Sequence, residues 1–200
     1  MERHAKLIEV HAPSAPEGVV LVLHGGAARR EDMRVSPTQL SVLRMIPIAR
    51  RIARAGGDRL AVFRLLNARR GWDTTHTPVQ DVRWALAEIA DRFGPLPTCL
   101  VGHSLGGRAA LLSAGAPAVR GVVALAPWVY ATDVAPGAAD RRILIVHGAR
   151  DRVASPDRSA ALARALGARY LSVPEGKHAM LRHGREFIDP TIEFVIQTTA

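Results

Sequence analysis

The stretch Thr98–Gly107, TCLVGHSLGG, carries the strongest local pattern of this 200-residue chain. A short apolar run ends at Gly102, Ser104 follows, and two glycines lead into the helix-forming run 108–112. The pattern predicts a strand that turns at once into a helix, because Gly102 and Gly106 remove Cβ atoms where the two backbones approach. Such a turn holds the Ser104 hydroxyl clear of the sheet edge and aims the first N–H groups of the helix at its target. A nucleophile elbow and a phosphate-binding or connecting glycine turn both fit this pentapeptide, so the rest of the chain has to distinguish them.

Length and composition indicate one domain over residues 1–200, large enough for a substantial core. The longest apolar stretch, Val122–Ala131, is far shorter than the roughly 20 residues of a membrane span. Met1–Val10 is charged and lacks the apolar segment of a secretory signal. Cys99 is the single cysteine, which excludes an internal disulfide and fits a buried thiol in a reducing compartment. We therefore expect a cytoplasmic protein that does not associate with membranes.

The formal net charge is +9, and nearly all of the positive charge is arginine, since Lys6 and Lys177 are the only lysines. A basic chain can bind nucleic acid, but here the arginines are scattered and no aromatic stacking platform accompanies them. A nucleic-acid partner is therefore not expected. A basic rim that attracts anionic substrates is the better-supported interpretation of this charge.

Apolar runs and turn signals predict strands and helices that alternate along the whole chain. The predicted strands are residues 5–10, 19–23, 60–66, 98–102, 121–126, 143–146 and 170–173. The predicted helices are Pro47–Ala55, one capped by Thr77 with Pro78 as its first residue, 105–114, one from Ser155-Pro156 to Gly167, and one from about Pro190. Residues 28–45 are expected to be irregular. The alternation predicts a mostly parallel sheet with helices on both faces, whose post-strand loops meet at one edge.

The loop after the second predicted strand reads His24-Gly25-Gly26-Ala27. Its glycines would let the backbone turn with an N–H facing inward, as an oxyanion hole requires, and Gly26 is the candidate donor. An ordinary strand-to-loop turn is the alternative. His24 is expected to hold this loop in place rather than to move protons.

An acid and a histidine follow the last two predicted strands in the order that nucleophilic catalysis by a serine needs. Asp151 ends the run His147–Asp151, and His178 follows the final strand. Ser104, Asp151 and His178 are therefore expected to meet at one edge of the sheet. Asp133 competes with Asp151 for the acid, and His183 competes with His178 for the base. His103 is expected to pack under the turn beside Ser104.

Taken together, these motifs resemble the α/β-hydrolase superfamily in its small, lidless form. The similarity covers nearly the whole chain and rests on HGG at 24–26, GHSLGG at 102–107, HGARD at 147–151 and GKHAM at 176–180. The chain is most similar to short bacterial carboxylesterase-like and dienelactone-hydrolase-like members. It departs from dienelactone hydrolases, because Ser104 stands where they carry a cysteine. It departs from lipases, because the segment 127–140 leaves room for a loop and not for a lid domain.

The resemblance implies that Ser104 is the nucleophile, Asp151 the triad acid and His178 the general base, with backbone N–H groups of Gly26 and Leu105 as the oxyanion hole. A serine hydroxyl is a poor nucleophile near neutral pH, so a neutral imidazole has to take its proton, and an aspartate orients that imidazole. Water then hydrolyses the acyl-enzyme. This chemistry requires no metal or organic cofactor.

The expected activity is hydrolysis of small carboxylic esters or thioesters, so the expected partner is a small-molecule ester; the sequence says nothing about oligomeric state. Acyl transfer to another acceptor and ligand binding without chemistry would leave the same motifs in place. Candidate lining residues of the substrate pocket are Ala27, Trp128, Tyr130 and Met180. Core packing is an equal interpretation for Trp128 and an open one for Met180. Arginines in two loops at the same edge could favour anionic acyl groups or could simply be solvated: Arg29, Arg30, Arg69 and Arg70.

Overall fold

A computed structural model describes residues 5–26 and 33–199, in which seven strands form one sheet in the order β1-β3-β2-β4-β5-β6-β7. The strands are β1 Lys6–His11, β2 Gly18–Leu23, β3 Leu60–Leu66, β4 Thr98–His103, β5 Val119–Leu125, β6 Arg142–Gly148 and β7 Arg169–Val173. The helices are α1 Leu40–Gly56, α2 Thr77–Phe93, α3 Leu105–Leu112, α4 Pro156–Leu166 and α5 Gly184–Thr199. Only β1 pairs antiparallel, so the predicted mostly parallel sheet is confirmed.

Side chains alternate between two apolar cores, one on each face of the sheet. In β2, whose six residues are all buried, Val19, Leu21 and Leu23 face one core and Val20 and Val22 face the other. Helices α2, α3 and α4 cover the first core, and α1 and α5 cover the second. A parallel sheet needs this cover on both faces, which explains why its central strands read as continuous apolar runs.

Two helices begin earlier than predicted, because each predicted start relied on a proline that lies inside the helix. Pro47 and Pro190 lie inside α1 and α5, although the sequence pattern predicts a helix that starts at Pro47 and one that starts at about Pro190. The apolar stripe of α1 already includes Val42 and Met45, and α5 already buries Phe187, so packing extends each helix across its proline. Each proline lacks the N–H that a helix interior would use, and burial of these extra turns compensates for that lost hydrogen bond.

The prediction for the start of α2 was also wrong in detail, whereas that for α4 is confirmed. Thr77 is the first residue of α2 and not its cap, because Asp73 accepts the Thr77 N–H at 2.8 Å and also the Thr77 hydroxyl. In α4, Ser155 is the N-cap and accepts the Arg158 N–H at 3.3 Å, with Pro156 as the first helical residue.

The sheet order places β4 at the centre, between β2 and β5. The loops that follow β2, β4, β6 and β7 leave the same edge of the sheet, since these strands run parallel. That edge therefore gathers the residues that the sequence pattern singled out. Within the described residues, none of the helices has the length and apolar character needed to cross a membrane.

Candidate active site

Ser104 stands at a sharp turn between β4 and α3, with backbone angles φ 56° and ψ −120° that side-chain-bearing residues rarely adopt. Two glycines make this turn possible because a side chain at either position would clash with neighbouring backbone atoms. A Cβ on Gly102 would lie 2.2 Å from the Gly106 oxygen, and a Cβ on Gly106 would lie 2.5 Å from the His24 oxygen. The strand and the helix therefore meet backbone to backbone, and the serine is held by the chain itself.

The structure brings Ser104, His178 and Asp151 together at this turn. His178 Nδ1 lies 2.7 Å from Asp151 Oδ2, and His178 Nε2 lies 3.0 Å from Ser104 Oγ. Because a carboxylate only accepts, the Nδ1–H donates to Asp151, which leaves Nε2 free to accept the Ser104 hydroxyl proton. The three side chains form a continuous hydrogen-bonded chain, in which the proton moves between Ser104 and His178 and Asp151 orients the imidazole.

Asp151 accepts hydrogen bonds on both carboxylate oxygens. Its Oδ1 accepts the N–H groups of Val153 and Ala154 at 2.7 and 2.9 Å, while Oδ2 is shared by His178 and His147, the latter at 3.1 Å. Burial alone would raise the pKa of this carboxyl, but the hydrogen bonds from His147, His178 and the two backbone groups hold it well below its usual range. Asp151 therefore stays ionised beside the imidazole.

His147 is a second histidine on the Asp151 carboxylate, a contact that the sequence pattern did not predict. Its side chain is fully buried, with Nδ1 2.9 Å from the Ser159 hydroxyl. It contacts Oδ2, the same carboxylate oxygen that His178 contacts, and so helps to hold the carboxylate in place. The available signal was a histidine four residues before the acid, directly after the apolar run 143–146.

The competing acid and base have other partners. Asp133 is bound by Arg108 through two hydrogen bonds of 2.8 and 2.9 Å, and both side chains are almost completely buried. His183 lies at the start of α5 and pairs with Glu186 at 2.8 Å. The geometry therefore favours Asp151 over Asp133 and His178 over His183.

Arg108 is the second residue whose role sequence reasoning missed. Besides Asp133, its guanidinium lies over three aromatic rings, at 4.3 Å from Trp72, 4.9 Å from Tyr130 and 5.8 Å from Trp128. One side chain thus ties the loops after β3 and β5 to the helix that follows Ser104. A single arginine in the otherwise small and apolar run LGGRAALL was the signal for such a contact.

His103 packs beneath the turn, as the sequence predicted. It is 1% exposed, and its Nε2 lies 2.9 Å from the His178 oxygen, so the imidazole supports the backbone of the neighbouring histidine. Burial, and next the charge that His178 can carry, lower the pKa of His103 from 6.5 to about 3. His103 is therefore neutral in the folded protein.

This buried histidine should make the protein less stable in mild acid. Unfolded His103 takes up a proton near pH 6.5, whereas the folded protein does not until far lower pH, so stability falls as pH drops below about 6.5. Between pH 6 and pH 5 the loss should be about 1 kcal/mol from this residue. Urea unfolding at the two pH values should show the loss in the wild type and a smaller one in His103→Gln, whose amide can still donate to the His178 oxygen. His24 contributes equally in both proteins, so equal slopes would contradict the expectation.

The His24-Gly25-Gly26 segment lies against the turn that carries Ser104. A Cβ on Gly25 would lie 3.1 Å from the Ser104 Cβ, and one on Gly26 would lie 3.4 Å from a methyl group of Leu105. His24 is buried, with Nδ1 2.6 Å from the Gly25 oxygen and Nε2 accepting the Asn67 N–H at 3.1 Å, in agreement with a structural role. Leu105 is the first residue of α3, where a backbone N–H has no carbonyl partner within its own helix.

The candidate pocket residues lie in different surroundings. Trp128 and Tyr130 contact each other at 5.1 Å between ring centroids, and the backbone N–H of Trp128 donates to the backbone carbonyl oxygen of Ser104 at 3.2 Å. Met180 is 6% exposed and packs in the core beneath α5, and it also lines a surface depression beside Lys177 and Arg182. Ala27 lies outside the described residues.

The loop arginines of the sequence analysis fall into two groups. Arg29 and Arg30 lie outside the described residues. The backbone of Arg70 lies against Gly26, because a Cβ there would meet the Arg70 oxygen at less than van der Waals distance. Arg69 pairs with Arg34 in an isolated antiparallel bridge of the backbone. Across 5–26 and 33–199, no set of three or more His, Cys, Asp or Glu side chains is arranged to hold a metal ion.

The chain matches one protein-family model and is similar in fold to several solved structures. A family model described as the alpha/beta hydrolase family matches residues 19–187. No curated protein sequence matches the chain. Solved structures with the same fold include Est1E from Butyrivibrio proteoclasticus, with 15% identity, a TM-score of 0.69, and coverage of 97% of this chain and 93% of that one. The esterase domain of a Rhodothermus marinus protein has 17% identity, a TM-score of 0.66 and coverage of 98% and 100%. XC6422 from Xanthomonas campestris, a serine hydrolase without lid, has 16% identity, a TM-score of 0.68 and coverage of 96% and 87%.

Proposed function

Because this chain belongs to the alpha/beta hydrolase family, we propose that it is a serine hydrolase that cleaves small carboxylic esters or thioesters. The observation that carries the proposal is the chain of contacts from Ser104 Oγ through His178 to Asp151, at 3.0 and 2.7 Å. The names of the esterases among its structural neighbours agree with this class of reaction. We propose that residues 1–200 form one catalytic domain.

In the proposed reaction, Ser104 Oγ attacks the carbonyl carbon of the ester while His178 Nε2 takes its proton. Asp151 holds the imidazole with Nε2 unprotonated and stabilises the imidazolium that forms. His178 then gives the proton to the departing oxygen or sulfur, which leaves an acyl group on Ser104. Water, deprotonated by the same imidazole, releases the acid.

The N–H groups of Gly26 and Leu105 would bind the oxyanion of the tetrahedral intermediate. Support comes from the close approach of the Gly25-Gly26 segment to Ser104 and from the position of Leu105 at the N-terminus of α3. Each donor of this kind contributes roughly 10²–10³ in rate. Both are backbone groups, so they are fixed before substrate arrives.

The proposal is tested by incubating the purified protein with p-nitrophenyl esters of increasing acyl length and, separately, with a fluorophosphonate probe. We expect release of p-nitrophenol with a preference for short acyl groups, and a single probe adduct on the peptide that contains Ser104. Turnover in plain buffer separates hydrolysis from acyl transfer to another acceptor. Probe labelling without turnover would contradict hydrolysis, and an adduct on a different peptide would contradict the site.

A further inference from the structure

A groove lined by cations runs away from His178 along the chain segment that follows it. It begins as a depression of about 730 Å³ that includes His178 and Asp151, and continues into one of about 350 Å³ that shares Arg150, Lys177 and Ala179 with the first. A third depression of about 500 Å³ shares Leu181, Arg182 and His183 with the second. We call these three adjoining depressions the basic groove.

Positive charge dominates the basic groove along its whole length. Its lining cations are Arg51, Arg150, Arg152, Lys177, Arg182 and Arg185, against the two lining glutamates Glu175 and Glu186, the second of which pairs with His183. Arg150 pairs with Glu175 at 2.7 Å and Arg51 with Asp189 at 3.1 Å, whereas the other four form no ion pair with a carboxylate of the described residues. The carboxylate of Asp151 is buried behind His178 and already holds two histidines, so it does not offset these charges.

The proposed proton transfer from His178 determines that the leaving group of the substrate lies nearest the basic groove. The atom that leaves from the acyl carbon has to receive its proton from His178 Nε2, so the leaving group lies on the side of His178. His178 is one of the residues that line the first depression of the basic groove. From this we propose, building on the hydrolase function above, that the chain acts on thioesters or esters whose leaving thiol or alcohol is long and carries several anionic groups, such as phosphates.

The reaction balances with no further reactant than water. Ser104 Oγ bonds to the acyl carbon, the carbon–sulfur bond breaks, and the departing sulfur takes the proton that His178 received from Ser104. The released thiol keeps its phosphates in the basic groove, and water then frees the acyl group as a carboxylic acid. The cations act only on binding and orientation of the leaving group, since none of them lies in the proton path.

A matched pair of thioesters tests this assignment on the full chain. S-acetyl coenzyme A and S-acetyl-N-acetylcysteamine share the reacting thioester, but only the first extends into a phosphate-bearing tail. The measured quantity is the ratio of kcat/KM for the longer substrate to that for the truncated one, followed by release of free thiol. We expect a wild-type ratio of about tenfold or more that falls as salt is added. Lys177→Glu and Arg182→Glu should each lower it by about tenfold, since each reverses one groove charge.

The control variant is Arg83→Glu, on the exposed side of α2 and across the sheet from α5. It changes the net charge by the same amount and should keep the wild-type ratio. A wild-type ratio near one, or equal losses in Arg83→Glu and Lys177→Glu, would overturn the assignment. If the protein sediments with phosphatidylserine vesicles and its ratio is near one, the assignment is also overturned, since the groove would then face a membrane.

A second measurement separates the failure of this inference from the failure of the proposed function. Free coenzyme A should slow fluorophosphonate labelling of Ser104 in the wild type, and less so in Lys177→Glu. Labelling that coenzyme A does not slow, together with normal hydrolysis of the truncated thioester, leaves the hydrolase function intact and removes the substrate class. Absence of both labelling and hydrolysis removes both proposals.

Discussion

Ser104→Ala is expected to reduce ester hydrolysis by about 10⁶-fold, the size of loss seen when the nucleophile of a triad is removed. His178 and Asp151 would remain in place, but no hydroxyl would accept the acyl group. What remains would be the contribution of substrate binding and of the oxyanion donors. The measurement is kcat for a short-chain p-nitrophenyl ester, accompanied by loss of the fluorophosphonate adduct.

Ser113→Ala is the matched control for that experiment. Ser113 is also buried and lies at the other end of α3, and no hydrogen-bond partner of its hydroxyl is present among the described residues. Its removal should leave both turnover and labelling close to wild type. An alanine variant at position 104 that kept more than about a hundredth of the activity would rule out this serine as the nucleophile.

Asp151→Asn is expected to lower kcat by about 10⁴-fold while the protein remains folded. An amide can supply only one accepting oxygen, whereas Asp151 accepts two backbone N–H groups on Oδ1 and two imidazoles on Oδ2. If the amide oxygen serves the backbone, its NH₂ group faces His178 Nδ1 and forces the proton onto Nε2. An Nε2 that carries a proton can no longer accept one from Ser104.

Asp133→Asn separates the two aspartates that the sequence left in competition. It would break the buried pair with Arg108, so we expect a loss of about 3–5 kcal/mol in the free energy of unfolding. The kcat of the folded protein should stay within about tenfold of wild type. Urea denaturation and steady-state kinetics on both variants measure the two effects. A larger loss of kcat in Asp133→Asn than in Asp151→Asn would reverse the assignment of the acid.

Sequence alone predicted the sheet and the position of the three central residues, because their signals are local. The glycines around Ser104 and the apolar run before each of the three loops can be read within a few positions, and the order of Ser104, Asp151 and His178 follows from the order of those loops in the chain. The starts of α1 and α5 were misplaced because a proline in the chain looks the same at the first turn and inside a helix. Only packing of Met45 or Phe187 against the sheet distinguishes the two cases.

The roles of Arg108 and His147 could not be read in this way, because each depends on a partner remote in the chain or on enclosure by the fold. Arg108 meets Asp133 and Trp72 from two other loops, and His147 meets Ser159 from α4. The same reason left Met180 open between pocket and core. Contacts of this kind are set by the three-dimensional arrangement of loops, about which neighbouring residues carry little information.

The backbone contact between Gly102 and Gly106 bears on how far chains of this kind can diverge. Backbone atoms, together with the absence of a side chain at Gly102 and Gly106, set the position of the Ser104 hydroxyl. Most other positions can then be exchanged freely as long as bulk and polarity suit their surroundings. Sequence identity and the geometry of this turn can therefore vary independently, so the architecture can be kept at very low sequence identity.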